Sequence, residues 1–223
     1  TDSIFFGAVI SVVGYLIGIF LRKKISVLNP LLVSIIFVIA VIKIFHIDYE
    51  TYNSGAKYIS YLLTPATVCL AIPLYRQISV LKEHAKEVFI GILAGVLASM
   101  GSILLMSYLF GLTHEQYVTL LPKSITTAIG MGVSEELGGI QTITVAVIII
   151  TGVLGNIIAE AVLKIFRIKE PVAKGLAIGT ASHAIGTTKA LEIGEIEGAM
   201  SSLSVAVAGL MTVISASIFA NMI

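Results

Sequence analysis

Long apolar runs separated by short polar stretches dominate the chain. Ile4 to Phe20, Pro30 to Phe45 and Phe89 to Phe110 are each about as long as a helix must be to cross a hydrocarbon core of roughly 30 Å. These runs and the helix breakers between them predict eight segments, at about 4–21, 29–45, 56–75, 86–110, 116–136, 139–166, 172–191 and 196–222. We therefore expect an all-α polytopic membrane protein.

Two of these segments contain polar, helix-breaking residues near mid-membrane depth. Segment three contains Thr64-Pro65-Ala66-Thr67, followed by Pro73, and segment seven contains Gly179-Thr180-Ala181-Ser182-His183-Ala184-Ile185-Gly186-Thr187-Thr188-Lys189. Interrupted backbone in a bilayer survives only where it lines a cavity or is buried against protein, so both stretches indicate a binding site. The alternative is that proline and glycine only kink these helices and allow close packing.

Basic residues predict the orientation, because short loops rich in Lys and Arg stay cytoplasmic. Most of the 14 Lys and Arg follow segments one, three and six, which places the N terminus outside and the C terminus in the cytoplasm. The other face is expected to carry the acidic residues Asp48, Glu50, Glu115, Glu192, Glu195 and Glu197. Segment five must then enter and leave on one face, and its small, polar stretch 122–132 suits a re-entrant hairpin at about 116–136.

With that hairpin in place, about seven spans remain in one membrane domain covering 1–223. Segments two to four and segments six to eight form inverted halves, at about 29–110 and 139–222, and each half has an interrupted middle segment. Paired interrupted helices in two inverted halves point to the substrate site of a secondary transporter.

The chemistry available at the interruptions suggests an anion. Backbone N–H groups freed from the helical ladder and the partial positive charge of a half-helix N terminus favour a carboxylate, and the hydroxyls add donors. Lys123 and Lys189 flank these elements, although both could instead extend to the outer interface. The predicted substrate site comprises Thr64, Pro65, Ala66, Thr67, Lys123, Ser124, Thr126, Thr127, Ser182, His183, Gly186, Thr187 and Thr188.

Three residues are candidates for coupling to H⁺ or Na⁺. His183 is the only histidine inside a predicted span, and it could donate to a carboxylate, carry a proton, or simply bond to a neighbouring helix. Asn156 and Glu160 share one face of segment six. Glu160 could instead pair with Lys164, again four residues on. We expect no metal and no other cofactor.

Composition supports the membrane class and weakens other functions. Mean hydropathy is +1.03, with 57% hydrophobic and only 12% charged residues. The single cysteine, Cys69, excludes a disulfide within the chain. The adjacent Ser182 and His183 do not face each other on a helix, and zinc-protease and P-loop motifs are absent, so we expect no enzyme. Polarity confined to two breaks and one hairpin favours a carrier over a pore.

At these same residues the chain resembles the LrgB/CidB family. The resemblance rests on four blocks in order: Leu28-Asn29-Pro30-Leu31-Leu32-Val33, Pro65-Ala66-Thr67 with Ile72-Pro73-Leu74-Tyr75, Leu121-Pro122-Lys123-Ser124-Ile125-Thr126-Thr127, and Gly175 through Thr187. It implies a membrane protein described as an antiholin-like or holin-like regulator of murein hydrolases and lysis, paired with an LrgA/CidA-like protein. Related plant proteins move glycolate and glycerate, and bacterial ones have been linked to pyruvate.

The resemblance also implies an elevator-type transporter, in which segments three and seven with the hairpin move against a dimerising scaffold. We therefore predict a carrier for small monocarboxylates in the bacterial cell membrane, acting as a homodimer without nucleic acid. The alternative is antiholin-like regulation of murein hydrolase activity with the LrgA/CidA-like partner. Fold-level analogy does not fix the substrate.

Overall fold

The computed structural model describes residues 5–25, 28–62, 65, 68–69 and 71–223, and the secondary structure of these residues is helical. The helices are α1 (Phe6–Lys24), α2 (Pro30–Ile44), α3 (Tyr49–Ser60), α4 (Ala71–Arg76), α5 (Ile78–Glu83), α6 (Ala85–Phe110), α7 (His114–Leu120), α8 (Thr127–Glu136), α9 (Gln141–Ile165), α10 (Pro171–Ile193) and α11 (Glu195–Ala220). Among the described residues, α1, α6, α9 and α11 are long and apolar enough to cross a membrane. The chain divides into two compact units, Thr1–Cys69 and Leu70–Ile223.

In the first unit, α1 packs against α2 and α3 through small residues. Added Cβ atoms at Gly14 and Gly18 would collide with Phe37 and with the backbone of Pro30, so these glycines let the helices approach closely. Asn29 caps α2 by accepting from the backbone N–H groups of the first turn, as its position before Pro30 predicts.

Segment three was expected to begin near residue 56, and the structure corrects this. Helix α3 begins at Tyr49, because the Asp48 carboxylate accepts from the Glu50 N–H at 3.1 Å and caps the helix N terminus. Asp48 and Glu50 therefore start a helix instead of filling a loop. Cys69 is a free, exposed thiol.

In the second unit, α6, α9 and α11 appear with nearly the bounds expected for segments four, six and eight. They surround a core that includes Ile92, Met100, Tyr117 and Met200, each at most 1% exposed. The hydroxyl of Tyr117 donates to the carbonyl of Phe219 at 2.9 Å, which joins the middle of α7 to the end of α11.

Segment five forms a helical hairpin of α7, a turn over 121–126, and α8. A reciprocal capping box between Thr113 and Gln116 starts α7. The seven residues of α7 and ten of α8 would extend only roughly 10–15 Å, too short to cross a bilayer. The Ile140 N–H donates to Thr119 Oγ1 at 2.8 Å, so the chain after α8 returns to the C-terminal part of α7 before α9 begins.

Segment seven was expected to span the membrane, and the structure corrects this too. Within α10 the backbone leaves helical geometry at His183, and the chain turns back into a second hairpin with arms 171–182 and 184–193. A Cβ on Gly186 would lie 3.2 Å from the carbonyl oxygen of Ile178, eight residues earlier, a contact that a continuous helix cannot make. Ile178 and Ala190 likewise share one apolar cluster with Ala159 of α9.

The second hairpin changes the faces expected for the acidic residues. Ile193, at the end of the second arm, lines the same cavity as Lys169 and Lys174 in the basic stretch after α9. Glu197 pairs with Lys174 at 3.5 Å, and Glu195 with Arg76 at 3.9 Å. The expectation that these carboxylates lie opposite the basic stretches is therefore wrong, because segment seven turns back at His183. Helix α11 instead carries the chain away from that end.

Candidate functional site

His183 forms the tip of the second hairpin. Its φ of 42° and ψ of −143° lie outside the regions that residues with a Cβ adopt readily. Such a conformation costs on the order of 1–3 kcal/mol and persists only where the surroundings hold it. The interruption expected within segment seven is therefore present, and it falls at one residue.

The surroundings that hold His183 belong mainly to α9. Its side chain is 3% exposed, and Nε2 lies 3.0 Å from the carbonyl oxygen of Ile148. Because a carbonyl oxygen only accepts, this bond requires the hydrogen on Nε2. A Cβ on Gly152 would lie 2.7 Å from the imidazole ring, so the absence of a side chain there makes room for the ring.

Ser182 and Thr187 are buried on either side of the tip. A Cβ on Gly155 would overlap the Ser182 hydroxyl, so α9 and the first arm meet closely at this point. The Thr187 hydroxyl donates to the carbonyl of His183 at 3.0 Å and lies 2.9 Å from the Ser201 hydroxyl. Ser201 then donates to Thr187, because a hydroxyl has one hydrogen.

The second arm is further tied to α9 by polar side chains. The Asn156 amide donates to the carbonyl of Ile185 at 2.9 Å and to the Thr188 hydroxyl at 3.0 Å. Lys189 forms ion pairs with Glu160 and, at 3.2 Å, with Glu192. The pairing considered from sequence, Glu160 with Lys164, is replaced by Glu160 with Lys189, because the turn at His183 brings the second arm alongside α9.

Lys123 and Ser124 form the polar tip of the first hairpin. The Lys123 ammonium donates to the Ser124 hydroxyl at 3.1 Å and to the Ser99 hydroxyl of α6 at 3.4 Å. The two serine hydroxyls are 2.8 Å apart. Lys123 therefore supplies a positive charge that is bound to neutral hydroxyls instead of a carboxylate.

A small cavity joins the two hairpins. It has a volume of about 10 Å³, room for about one water molecule, and its polar lining includes Ser99, Ser124, Thr180 and Thr212. Thr212 and the other α11 residue in the lining, Ala208, lie towards the middle of that helix. The turn of the first hairpin and Thr180, three residues before the tip of the second, therefore approach each other near mid-length of the long helices.

Two helix N termini lie at these tips. The second arm begins after His183, and α8 begins at Thr127, with Thr126 as an N-cap whose side chain makes no capping bond. The first N–H groups of each helix lack intrahelical acceptors and carry a partial positive charge. Gly186 lies in the first turn of the second arm, packed on Ser182 and Ile178.

The residues of segment three that were predicted to bind substrate do not contribute to the two hairpin tips in the described part of the chain. Thr64, Ala66 and Thr67 lie outside the described residues, and Pro65 is an exposed residue of the first unit. The structure adds Ser99, Thr180, Ser201 and Thr212, which the sequence prediction missed. Ser99 follows Gly91 and Gly95 at a spacing of four residues, which is typical of close helix packing and not of a binding site.

A sequence model of the LrgB-like family matches residues 11–222, and so includes every described candidate residue. The chain belongs to the LrgB family. It is 38% identical over 217 residues to proteins named "Antiholin-like protein LrgB" from Bacillus mycoides (strain KBAB4), Bacillus cereus (strain B4264) and Bacillus anthracis (strain CDC 684 / NRRL 3495). Each alignment covers 96% of this chain and 94% of the relative. No solved structure matches it.

Membership of the LrgB family agrees with the apolar helices in identifying a membrane protein. For this LrgB-family chain, the two hairpins provide one cation at the first tip, several hydroxyls and two helix N termini. Such a group of donors suits an anion with several oxygen atoms.

Proposed function

We propose that this chain acts in the bacterial cell membrane as an antiholin-like regulator of murein hydrolase activity and lysis, with a smaller LrgA/CidA-like membrane protein as its partner. The observation that supports this most directly is the family match over 11–222, together with relatives named antiholin-like over nearly their whole length. The long apolar helices fit a role inside the membrane.

This role is tested by expressing the chain, with and without an LrgA/CidA-like partner, in a bacterium that lacks its own family members. We expect lower murein hydrolase activity in zymograms and slower lysis when both proteins are present. The matched control is the LrgA/CidA-like partner expressed without this chain, at equal membrane abundance. Unchanged hydrolase activity and lysis with the intact pair would contradict the proposal.

A second candidate activity, a carrier for small monocarboxylates such as pyruvate, glycolate or glycerate, is favoured by the two hairpin tips. Half-helices that end near mid-depth and face one another are the arrangement by which many secondary transporters bind a substrate. The N termini at Thr127 and Ala184, with Lys123 between α6 and the first hairpin, would bind a carboxylate, and the hydroxyls of Ser124 and Thr126 would bind its neighbouring oxygen.

The order of elements supports this candidate. A long helix followed by a hairpin occurs twice, as α6 with α7–α8 and as α9 with α10. Short matches recur at equivalent places: Gly95-Val96-Leu97 with Gly152-Val153-Leu154, and Ala128-Ile129-Gly130 with Ala184-Ile185-Gly186. The two copies run in opposite directions, which suits a carrier that opens alternately to each side. We propose this pairing as an alternative to the halves expected at 29–110 and 139–222. Those halves and sliding against a dimeric scaffold both stay predictions.

The membrane orientation follows from the same positive-inside argument as before. With the basic stretch after α9 in the cytoplasm, the first hairpin enters from outside and the second from inside. In this proposed orientation helix α11 carries the C terminus outside, which differs from the cytoplasmic C terminus expected from sequence. Tyr108 and His114 bond to the carbonyls of Met222 and Ile223, so the C terminus lies where α6 ends.

The carrier is tested by uptake of labelled pyruvate and glycolate into proteoliposomes that contain this chain alone, under pH or sodium gradients. We expect saturable uptake that unlabelled substrate competes away. His183, Asn156 and Glu160 stay the candidates for H⁺ or Na⁺ coupling, so the gradient that drives uptake decides which ion to pursue. Absence of uptake by folded protein would contradict the proposed carrier activity and leave antiholin-like regulation as the proposed function.

A further inference from the structure

A basic cavity of about 550 Å³ lies at the C-terminal end of α9, away from the hairpin tips. Four cationic side chains line it: Lys164, Arg167, Lys169 and Lys174. Its volume falls within the range of small-molecule sites. This cavity is separate from the residues proposed above to bind a carboxylate.

The charge of the cavity is only partly neutralised by the protein. Lys174 pairs with Glu197 at 3.5 Å, and the cavity's one carboxylate, Glu160, pairs with Lys189. Within the described part of the chain, no ion pair is formed by Lys164, Arg167 or Lys169. The cavity therefore presents at least three positive charges to a ligand.

The backbone turn after α9 brings these cations together. Arg167 has a φ of 55°, in the left-handed region, and its N–H donates to the Lys164 carbonyl at 3.2 Å. The Ile168 N–H donates to the Leu163 carbonyl at 2.9 Å, which closes the helix end. The turn is thus fixed by hydrogen bonds, and the cations at 164, 167 and 169 follow a defined backbone.

The remaining wall of the cavity is apolar. Leu163 is buried in a cluster with Ile178 and Ala190, and the partly buried Ile168 and Ile193 pack against that cluster. A ligand that matches both walls carries a phosphate-type anion on one side and a hydrocarbon portion on the other. A free inorganic anion would use only the cations.

We propose that this cavity binds the phosphate-bearing headgroup of an anionic phospholipid in the leaflet at the basic end of α9. Arg167 offers the planar fork that binds two phosphate oxygens, and Lys164 and Lys169 add point charges. Basic pockets between membrane helices on the cytoplasmic side bind such headgroups. Since Lys174 and Ile193 belong to the two arms of α10, the bound lipid bridges the base of the second hairpin. The site does not depend on the proposed transport.

The test uses full-length protein in three settings: phosphatidylcholine nanodiscs, nanodiscs with added cardiolipin or phosphatidylglycerol, and phosphatidylcholine nanodiscs in buffer containing inorganic phosphate. Thermal unfolding midpoints and lipid retention in native mass spectra are the readouts. We expect anionic lipid to raise the midpoint and stay bound, and inorganic phosphate to do neither. Equal stabilisation by phosphate would overturn the lipid assignment in favour of a free anion.

Variants locate the binding. Lys164→Gln/Arg167→Gln/Lys169→Gln should weaken retention about fivefold per charge and about a hundredfold together. The control Lys23→Gln/Lys24→Gln/Lys82→Gln removes the same charge from exposed residues outside the cavity, and should change retention little. If the triple cavity variant does not fold in phosphatidylcholine, Lys169→Gln alone should still weaken lipid retention about fivefold. Equal losses in cavity and control variants would overturn the proposal.

Discussion

The imidazole Nε2 of His183 donates to the backbone carbonyl of Ile148 at 3.0 Å, and this bond joins the tip of the second hairpin to α9. His183 also has a positive φ, which a residue with a Cβ rarely adopts. The hydrogen bond and the strained backbone therefore occur at the same residue, and two substitutions separate their effects.

Removing the imidazole should destabilise the hairpin. His183→Ala loses the bond to Ile148 and leaves a cavity against Gly152, at about 1–3 kcal/mol, while keeping the strained φ. His183→Gly loses the same contacts but relieves the backbone by about 1 kcal/mol. The thermal unfolding midpoint in detergent should therefore rank wild type above the glycine variant and the glycine variant above the alanine variant. An alanine variant more stable than the glycine variant would argue against a strained turn.

The close contact between Gly155 and Ser182 gives a second prediction. Gly155→Ala would place a Cβ on the Ser182 hydroxyl and 2.6 Å from its Cβ, which should destabilise the protein by about 1–3 kcal/mol. Adding Ser182→Gly removes both atoms and should recover part of the loss. Gly101→Ala in α6 is the matched control, because nothing lies within 4 Å of its added Cβ. Equal unfolding midpoints for Gly155→Ala and Gly101→Ala would contradict the close packing of Gly155 against Ser182.

The hairpin itself can be tested by crosslinking across the Lys189–Glu160 ion pair. In a Cys69→Ser background, Glu160→Cys/Lys189→Cys should form a crosslink with a short bifunctional reagent in native membranes. Leu112→Cys/Lys189→Cys is a control that should form none, because Leu112 follows α6 at the end where the C terminus lies. If α10 crossed the bilayer, position 189 would lie near the start of α9 and the crosslink to position 160 would fail.

The sequence predicted where segment seven is interrupted but not which way the chain runs after the interruption. The glycine, serine, histidine and threonine run of segment seven identified the break, because such residues are unusual within an apolar span. Hydropathy and helical period are the same whether the chain continues or turns back after residue 182. They therefore could not show that segment seven turns back, and the prediction of a continuous span was wrong. The turn depends on one positive φ at a residue that is not glycine, for which composition gives no signal.

The site was likewise only partly predictable. Lys123, Ser124, His183 and Thr187 stood out as polar residues between apolar runs, and the structure places them at the two tips. Ser99 and Thr212 lie inside long apolar helices, where a single small hydroxyl is common and usually packs. Only the meeting of four elements at one small cavity distinguishes them.

The positive charge of Lys123 leads to the last prediction. Lys123→Met removes the only cation among the residues at this tip, leaving Ser99 and Ser124 to bond to each other at 2.8 Å. A charge-assisted hydrogen bond contributes about 1.5–3 kcal/mol, so half-saturation of carboxylate uptake should shift upward by about ten- to a hundredfold. Lys123→Arg should keep part of the affinity because the charge remains. Lys82→Met, at an exposed lysine of α5, is the control and should leave uptake unchanged. No other side chain at the first tip could replace the charge of Lys123. If the folded Lys123→Met variant reached half-saturation at the same carboxylate concentration as wild type, Lys123 would not belong to the carboxylate site.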